Sequence, residues 1–176
     1  MSTFLELVQQ LHDEAGASGS TPSTVVSQSG ESKRMVNWIK NADLAIQQRW
    51  HDWKFLWSST RYSAATVDGA QDAVAPTTVG KWDEHTFRID DELIDVVEYE
   101  KVKGERFDTT AASENQPSRI IILPNNNLRF DPVPDAAYVI SADYFLKPVA
   151  LDVTDNTDTS LIPADYEQVI IGQALV

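Results

Sequence analysis

Four carboxylic acids lie close together in one short segment, at Asp90, Asp91, Glu92 and Asp95. Paired carboxylates can hydrolyse a glycosidic bond, one as the acid and the other as the base or nucleophile. The acid must sit in an apolar pocket that raises its pKa, whereas four neighbouring acids favour a hydrated turn between strands. We therefore interpret this acidic patch as a solvated turn and keep an acidic glycoside hydrolase as the weaker hypothesis.

Metal chemistry has little support in the sequence. Three aspartates and an asparagine in residues 152–158 resemble part of a calcium loop, but the glycine at position six and the glutamate at position twelve are missing. The three histidines, His12, His51 and His85, are far apart in the sequence. There is no cysteine, which excludes a thiolate metal site, a disulfide and a cysteine nucleophile. We expect no metal site.

Sequence motifs for catalysis are also missing. The chain contains no phosphate-binding glycine loop, no serine nucleophile elbow and no zinc-protease motif. We therefore predict no catalytic residues and no cofactor, and we expect that the protein is not an enzyme.

The charge is strongly negative and unevenly distributed. The net charge is −13; residues 1–60 carry 5 basic and 6 acidic side chains, whereas residues 61–176 carry 9 and 21. An acidic surface repels phosphate, so specific binding of DNA or RNA is not expected. The N-terminus has no basic, apolar signal segment and no stretch is long enough to span a membrane, which predicts a soluble protein.

Two amphipathic helices are predicted near the N-terminus. Apolar spacing indicates a helix over residues 3–15, opened by Thr3 and Glu6 in a capping box, and a second helix over residues 31–53. Residues 16–30 between them are rich in glycine, serine and threonine and predict an extended connector, ordered only where another segment holds it. The polar face of the second helix is predicted to carry Lys33, Lys40, Asp43 and Gln47.

Alternating apolar and polar residues predict strands in the middle of the chain. The predicted strands are 60–65, 86–89, 93–103, 118–123, 128–131 and 137–147. Residues 124–127 predict a hairpin turn, and the strand over 137–147 is expected to be central. Residues 68–80 and 104–117 are predicted loops, while Pro132 and Pro134 predict an exposed turn or edge.

The predicted fold class is α+β, in which the N-terminal helices and a C-terminal helix pack as a small bundle with an inserted antiparallel β-sheet lobe. The helical part covers residues 1–57, and the β lobe of about five to seven strands covers residues 58–150. Residues 160–176 form the C-terminal helix that returns to the helical part, with Pro163 as its first residue.

Four of the five tryptophans, Trp38, Trp50, Trp53 and Trp57, lie within twenty residues. Helical spacing assigns most of them to the core, with Trp50 or Trp53 on the apolar face of the second helix. Trp38 lies off that face and is our first candidate for contact with a partner, because tryptophan is enriched among binding anchors.

A function of a different class remains open at this point. A monomeric β-rich module that binds carbohydrate or a host surface would suit an acidic protein with aromatic residues on its strands. Tyr138 and Tyr144, however, follow an alternation that predicts burial.

Two ordered series of residues resemble the two halves of a tailed-bacteriophage head-to-tail adaptor. The first is Gly16-x-x-Gly19-Ser20-x-Pro22-Ser23-Thr24-Val25, Gly30-Glu31, Val36-x-Trp38-Ile39-x-x-Ala42, Ile46-Gln47 and Trp53-x-Phe55-Leu56. The second is a hydrophobic strand, the turn from Pro132 to Asp135, a tyrosine-rich strand ending near Lys147-Pro148, Leu151, and Leu161-x-Pro163-x-x-Tyr166. The resemblance spans nearly the whole chain and is weakest over residues 69–116.

This resemblance implies a structural protein of the virion neck. Its subunits would form a ring, commonly twelvefold, that docks beneath the portal protein, seats tail or nozzle proteins and continues the DNA channel. Genome DNA would pass through the lumen without specific binding, no membrane would be involved, and assembly would take place in the host cytoplasm. The candidate residues for the subunit or portal interface are Trp38, Pro22, Val25, Val26, Pro132, Pro134, Tyr166 and Ile170.

Overall fold

The structure, a computed structural model, describes residues 1–105 and 113–176. The chain forms two compact units: unit 1 comprises Met1–Leu56 and Pro148–Val176, and unit 2 comprises Trp57–Lys147. The helices in the described residues are α1 (Phe4–Glu14), α2 (Gly30–Arg49), α3 (Tyr99–Val102) and α4 (Glu167–Ala174). The strands there are β1 (Tyr62–Ala65), β2 (Asp72–Ala73), β3 (Val79–Trp82), β4 (Arg88–Ile89), β5 (Glu92–Leu93), β6 (Asp95–Glu98), β7 (Arg119–Ile122), β8 (Leu128–Asp131), β9 (Val139–Ala142) and β10 (Tyr144–Leu146). The predicted α+β class is confirmed.

Unit 1 is built on α1, α2 and α4. Both hydrogen bonds of the predicted capping box form at the start of α1, between Thr3 and Glu6. Apolar residues of the three helices then share one buried cluster, which includes Phe4, Leu11, Met35, Ile39, Ile170 and Ile171.

The second helix ends earlier than predicted. α2 stops at Arg49, because Trp50 has an extended backbone, and a 3₁₀ turn follows at Lys54–Leu56. Trp50 and Trp53 therefore do not extend the apolar face of this helix. The indole of Trp53 instead donates to the carbonyl of Ile46 at 3.0 Å, which satisfies one of the carbonyls left open at the helix end.

The polar face predicted for α2 is wrong at Asp43 and Gln47, which are both fully buried. Their partners come from the returning C-terminal segment. Asp43 accepts hydrogen bonds from the hydroxyl of Ser160 and from Nε2 of Gln47, and Gln47 also exchanges two 3.1 Å bonds with the backbone of Val149. Residues 148–162 are thereby fastened to α2 through a buried polar network.

The connector between α1 and α2 is held by its neighbours. Its Pro22 carbonyl accepts a 2.9 Å bond from Gln9 of α1. The side-chain oxygen of Asn156 accepts from the Thr24 hydroxyl at 2.9 Å and from the Val25 amide at 2.7 Å. A segment of turn-forming composition thus becomes ordered through long-range hydrogen bonds.

The C-terminal helix starts later than Pro163. That proline precedes a 3₁₀ turn at Ala164–Tyr166, and the α-helix begins only at Glu167. The fixed φ of proline is compatible with entry into this tighter turn, and the regular α-helix follows the turn.

The described residues of unit 2 form three sheets, with strand orders β1-β9-β4-β5, β10-β3 and β2-β8-β7-β6. Its sheets are therefore not wholly antiparallel, because β6 and β7 pair in parallel. Twenty residues separate these two strands in the sequence, which is long enough for the crossover that a parallel pair requires. The predicted hairpin between β7 and β8 is confirmed, with Asn126 at φ 65° in its turn. Much of the predicted loop over residues 104–117 lies outside the described residues.

Two predicted strands are divided in the structure. The strand predicted over 137–147 breaks at Asp143, whose amide donates to the Thr86 hydroxyl at 2.8 Å rather than to a neighbouring strand. Its first part, β9, is internal to one sheet, whereas its second part, β10, pairs with β3. The strand predicted over 93–103 becomes β5, β6 and α3, and residues 72–73 and 79–80, predicted as loop, belong to strands.

The core of unit 2 is centred on Trp82. Its indole nitrogen donates to the carbonyl of Asn126 at 2.8 Å, and its ring packs against the rings of Tyr62, Phe87 and Tyr144 at centroid distances of 5.1–5.7 Å. Burying the only polar atom of the indole with a partner makes this large side chain a favourable core residue.

Candidate functional site

Only part of the predicted interface set is exposed. Trp38 is 45% exposed, Tyr166 61% and Val26 37%, while Pro132 is half-buried. The interface role of these residues stays a prediction.

The other four candidates are covered by their own subunit: Pro22, Val25, Pro134 and Ile170. Val25 and Ile170 belong to the apolar cluster of unit 1, so their side chains are not available to a partner in this conformation. Pro134 accepts a 2.9 Å bond from the Gly69 amide. The expectation of an exposed turn therefore fails at this proline, because its polar group closes a loop within unit 2.

Trp38 borders an open groove on unit 1. One wall consists of α2 residues Trp38, Asn41, Ala42 and Ala45, and the other of residues 173–176. Leu175 is half exposed at this wall. Apart from the chain terminus, the groove is lined by apolar and amide side chains without a charged one, which is typical of the centre of a protein–protein interface.

Unit 1 has a second exposed tryptophan, which the sequence interpretation did not single out as an interface candidate. Trp50 is 63% exposed and lies with its ring centroid 5.9 Å from that of Trp53, which stacks on Phe55 at 5.4 Å. No glycine, asparagine or proline follows Trp50 closely, so the sequence carries none of the usual stop signals for a helix that ends there.

The acidic patch forms a tight hairpin turn. Asp90 and Asp91 connect β4 to β5 with φ of 45° and 69°, which gives the positive φ pair of a type I′ turn. The Asp90 carboxylate accepts from the Val139 amide at 2.9 Å, and Arg88 donates to the Asp91 carbonyl at 2.7 Å. All four acids are exposed, so the patch is a turn in solvent and lacks the apolar pocket of a glycosidase acid.

The carboxylates of residues 152–158 also have structural roles. Asp152 accepts from the amide and hydroxyl of Thr154, and Asp155 does the same with Thr157, at 2.7–2.8 Å. These bonds lower the pKa of both carboxyl groups. Within residues 1–105 and 113–176, no group of three or more His, Cys, Asp or Glu side chains could hold a metal ion.

The tyrosines relevant to the carbohydrate-binding hypothesis do not form an open platform. Tyr138 and Tyr144 are half-buried, the first with its hydroxyl 2.6 Å from an Asp135 oxygen and the second against Trp82. Among the helices that the structure describes, none combines the length and the apolar character needed to cross a membrane.

The family model described as SU10 adaptor protein matches residues 2–176, almost the full chain, and confirms the resemblance to phage head-to-tail adaptors. A comparison with curated proteins finds no significant match. The chain belongs to the SU10 adaptor protein family.

Proposed function

We propose that this protein is the ring-forming subunit of a phage neck, which lies beneath the portal, joins the DNA-filled capsid to the tail and continues the DNA channel. The family match over residues 2–176 carries the proposal, because it gives the protein a structural role in a phage particle and implies contacts with portal and tail components. The exposed Trp38 groove supports it, since a ring subunit must offer surface to neighbours.

The ring is expected to be a dodecamer assembled in the host cytoplasm. A subunit charge of −13 would give twelve subunits roughly 150 negative charges, and a lumen that presents part of them would repel DNA and let it slide. DNA would then pass through without specific binding. A solved ring with a basic or neutral bore would contradict this explanation of the charge.

Native mass spectrometry tests the proposal, on the protein alone and after mixing with purified portal rings. We expect multimers of the subunit, or a complex in which several copies occupy one portal ring. If the protein stays monomeric and does not bind the portal, the proposal is wrong. A polysaccharide-retention assay on the same sample would then show whether the carbohydrate-binding alternative applies.

A further inference from the structure

Unit 1 separates its charges between two helices. The exposed residues of α1 include Glu6, Gln10, Asp13 and Glu14, which recur at helical spacing along one side. α1 contains no lysine or arginine. Its exposed side is therefore acidic over its length, and we call Glu6, Asp13 and Glu14 the acidic stripe.

The exposed side of α2 has the opposite balance. Its members follow one another at spacings of three or four residues and form what we call the α2 stripe: Arg34, Trp38, Asn41, Ala45 and Arg49. The one acidic residue between the two arginines is Asp43, which is fully buried. The stripe therefore has an uncharged centre with a tryptophan and a positive charge at each end.

The arginines of this stripe and those of unit 2 differ in whether they form ion pairs within the described residues. Arg61, Arg119 and Arg129 bind carboxylates of unit 2 itself at 2.6–2.8 Å. Across residues 1–105 and 113–176, neither Arg34 nor Arg49 forms an ion pair. Two exposed, unpaired guanidinium groups on a chain of net charge −13 are suited to an acidic partner.

We propose that the α2 stripe of one subunit binds the acidic stripe of the next copy of this chain, head to tail. The inference rests on the proposed ring, because a closed ring needs two different and complementary faces on every subunit. Arg34 and Arg49 meet the carboxylates of the neighbouring α1, and Trp38 is the buried anchor between them. Aromatic residues in an uncharged centre with charges at the rim are the usual arrangement of such a contact.

The dimensions of the two stripes are compatible. At 1.5 Å per residue, the α2 stripe from Arg34 to Arg49 is about 22 Å long, and the acidic stripe from Glu6 to Glu14 is about 12 Å long. The acidic stripe therefore fits within the span of the α2 stripe. The long side chains of the two arginines can reach inward to the carboxylates.

A second copy suits the α2 stripe better than a nucleic acid does. The chain as a whole repels phosphate, and the uncharged side chains in the centre of the stripe contribute no counterion release. The acidic stripe of another copy offers carboxylates spaced along one helix face. The charges of the two stripes are therefore complementary, whereas binding of a DNA duplex to the α2 stripe would leave the acidic stripe without a partner.

Charge-swap variants test the pairing. The first variant combines Arg34→Glu with Arg49→Glu, and the second combines Asp13→Lys with Glu14→Lys. Each variant alone brings like charges together at the substituted positions, so we expect self-association at least about tenfold weaker than in the wild type. In an equimolar mixture each substituted stripe can face an oppositely charged stripe of the other variant, so the mixture should assemble again, as should a single chain with all four substitutions.

Association is measured by sedimentation velocity at low and high salt, with portal rings added in a parallel series. Circular dichroism confirms that each variant is folded; lysine in the last turn of α1 suits the helix dipole. Lys101→Glu with Lys103→Glu is the matched control for the arginine variant, because it makes the same net-charge change in unit 2 and should leave association within about threefold of the wild type.

The possible results separate the two proposals. If the wild type assembles and both charge-swap variants assemble equally well, the stripe pairing is wrong and the ring remains. If the wild type stays monomeric with and without portal, the proposed function fails and the pairing fails with it. If the wild type binds a short DNA duplex at physiological salt and the arginine variant does not, the α2 stripe is a nucleic-acid-binding surface and the proposed pairing is wrong.

Discussion

Asp43 is the residue whose environment differs most from its sequence context. It was predicted to lie on the polar face of α2, yet it is fully buried with Ser160 and Gln47 as hydrogen-bond donors to its carboxylate. Alanine would leave both donors buried without an acceptor, which costs about 2–4 kcal/mol in the free energy of unfolding. Asparagine has nearly the same size as aspartate and retains one acceptor oxygen. Asp43→Asn should therefore lower the free energy of unfolding less than Asp43→Ala does. Urea unfolding of Asp43→Ala and Asp43→Asn measures the difference, and equal losses would contradict the role of these bonds.

The same residue predicts a pH dependence. Burial raises the pKa of Asp43, and the hydrogen bonds from Ser160 and Gln47 oppose this effect only partly. A raised pKa in the folded state means that the contribution of Asp43 to stability is complete below its unfolded pKa of about 3.9 and is lost as the pH rises through the folded value. The stability of the wild type relative to Asp43→Asn should therefore fall from pH 4 towards pH 7. A constant difference in unfolding experiments would refute this.

Gly80 is required by close approach of two strands. A Cβ at this position would lie 2.8 Å from the carbonyl oxygen of Leu146 and 2.9 Å from the Cα of Lys147, both of them backbone atoms. Gly80→Ala should therefore separate β3 from β10 and cost about 1–3 kcal/mol. Gly172→Ala is the matched control, because a Cβ there meets no atom within 4 Å and should stabilise α4 by up to about 1 kcal/mol. Thermal unfolding compares the stabilities of Gly80→Ala and Gly172→Ala. Equal stabilities would show that the sheet accommodates the added Cβ at residue 80.

At the scale of elements, Asn156 holds the connector between α1 and α2 at Thr24 and Val25. Its side-chain oxygen accepts both bonds that fix Thr24 and Val25. Asn156→Ala removes the acceptor, so the Val25 amide should exchange with solvent at least about tenfold faster and residues 16–29 should become more sensitive to proteolysis. Asn156→Asp retains the accepting oxygen and should keep the exchange slow. Fast exchange in both variants would show that the amide group itself matters.

Local periodicity predicted the elements whose hydrogen bonds are local. The capping box and apolar spacing predicted α1 to within one residue, and the turn residues 124–127 predicted the β7–β8 hairpin. The break at Asp143 could not be predicted, because alternation continues through it and the acceptor that takes its backbone amide is the hydroxyl of Thr86, which is distant in sequence. Burial of Asp43 was missed for the same reason, since its donor Ser160 is 117 residues away.

The candidate interface was predictable only in part. Trp38 could be recognised because it departs from the apolar spacing of its own helix. Val25 and Pro22 could not be excluded, since a segment rich in glycine and serine gives no sign of the side chains that cover it. The α2 stripe required the structure, because the sequence does not show that Asp43 is withdrawn into the core while Arg34 and Arg49 remain unpaired.

At the scale of the molecule, unit 2 is a single continuous segment inserted into unit 1. Its two ends lie side by side, because the Ser58 amide donates to the Tyr144 carbonyl at 3.0 Å and Trp57 forms a β-bridge with Phe145. The described part of the segment has its own apolar cluster around Trp82. A segment with adjacent ends and its own core satisfies the usual conditions for independent folding.

We therefore predict that the fragment of residues 57–147 folds alone. Its near-ultraviolet circular dichroism should show an ordered tryptophan environment and its urea unfolding should be cooperative, since the Trp82 ring cluster lies entirely inside the fragment. Trp82→Ala should abolish both signals. Removal of a buried ring of this size costs about 3–5 kcal/mol, which is a large part of the free energy of unfolding of a small domain. Trp57→Ala, at a partly exposed ring, should preserve cooperative unfolding and serves as the control. A wild-type fragment with the spectrum of an unfolded chain would mean that unit 2 depends on unit 1 for its stability.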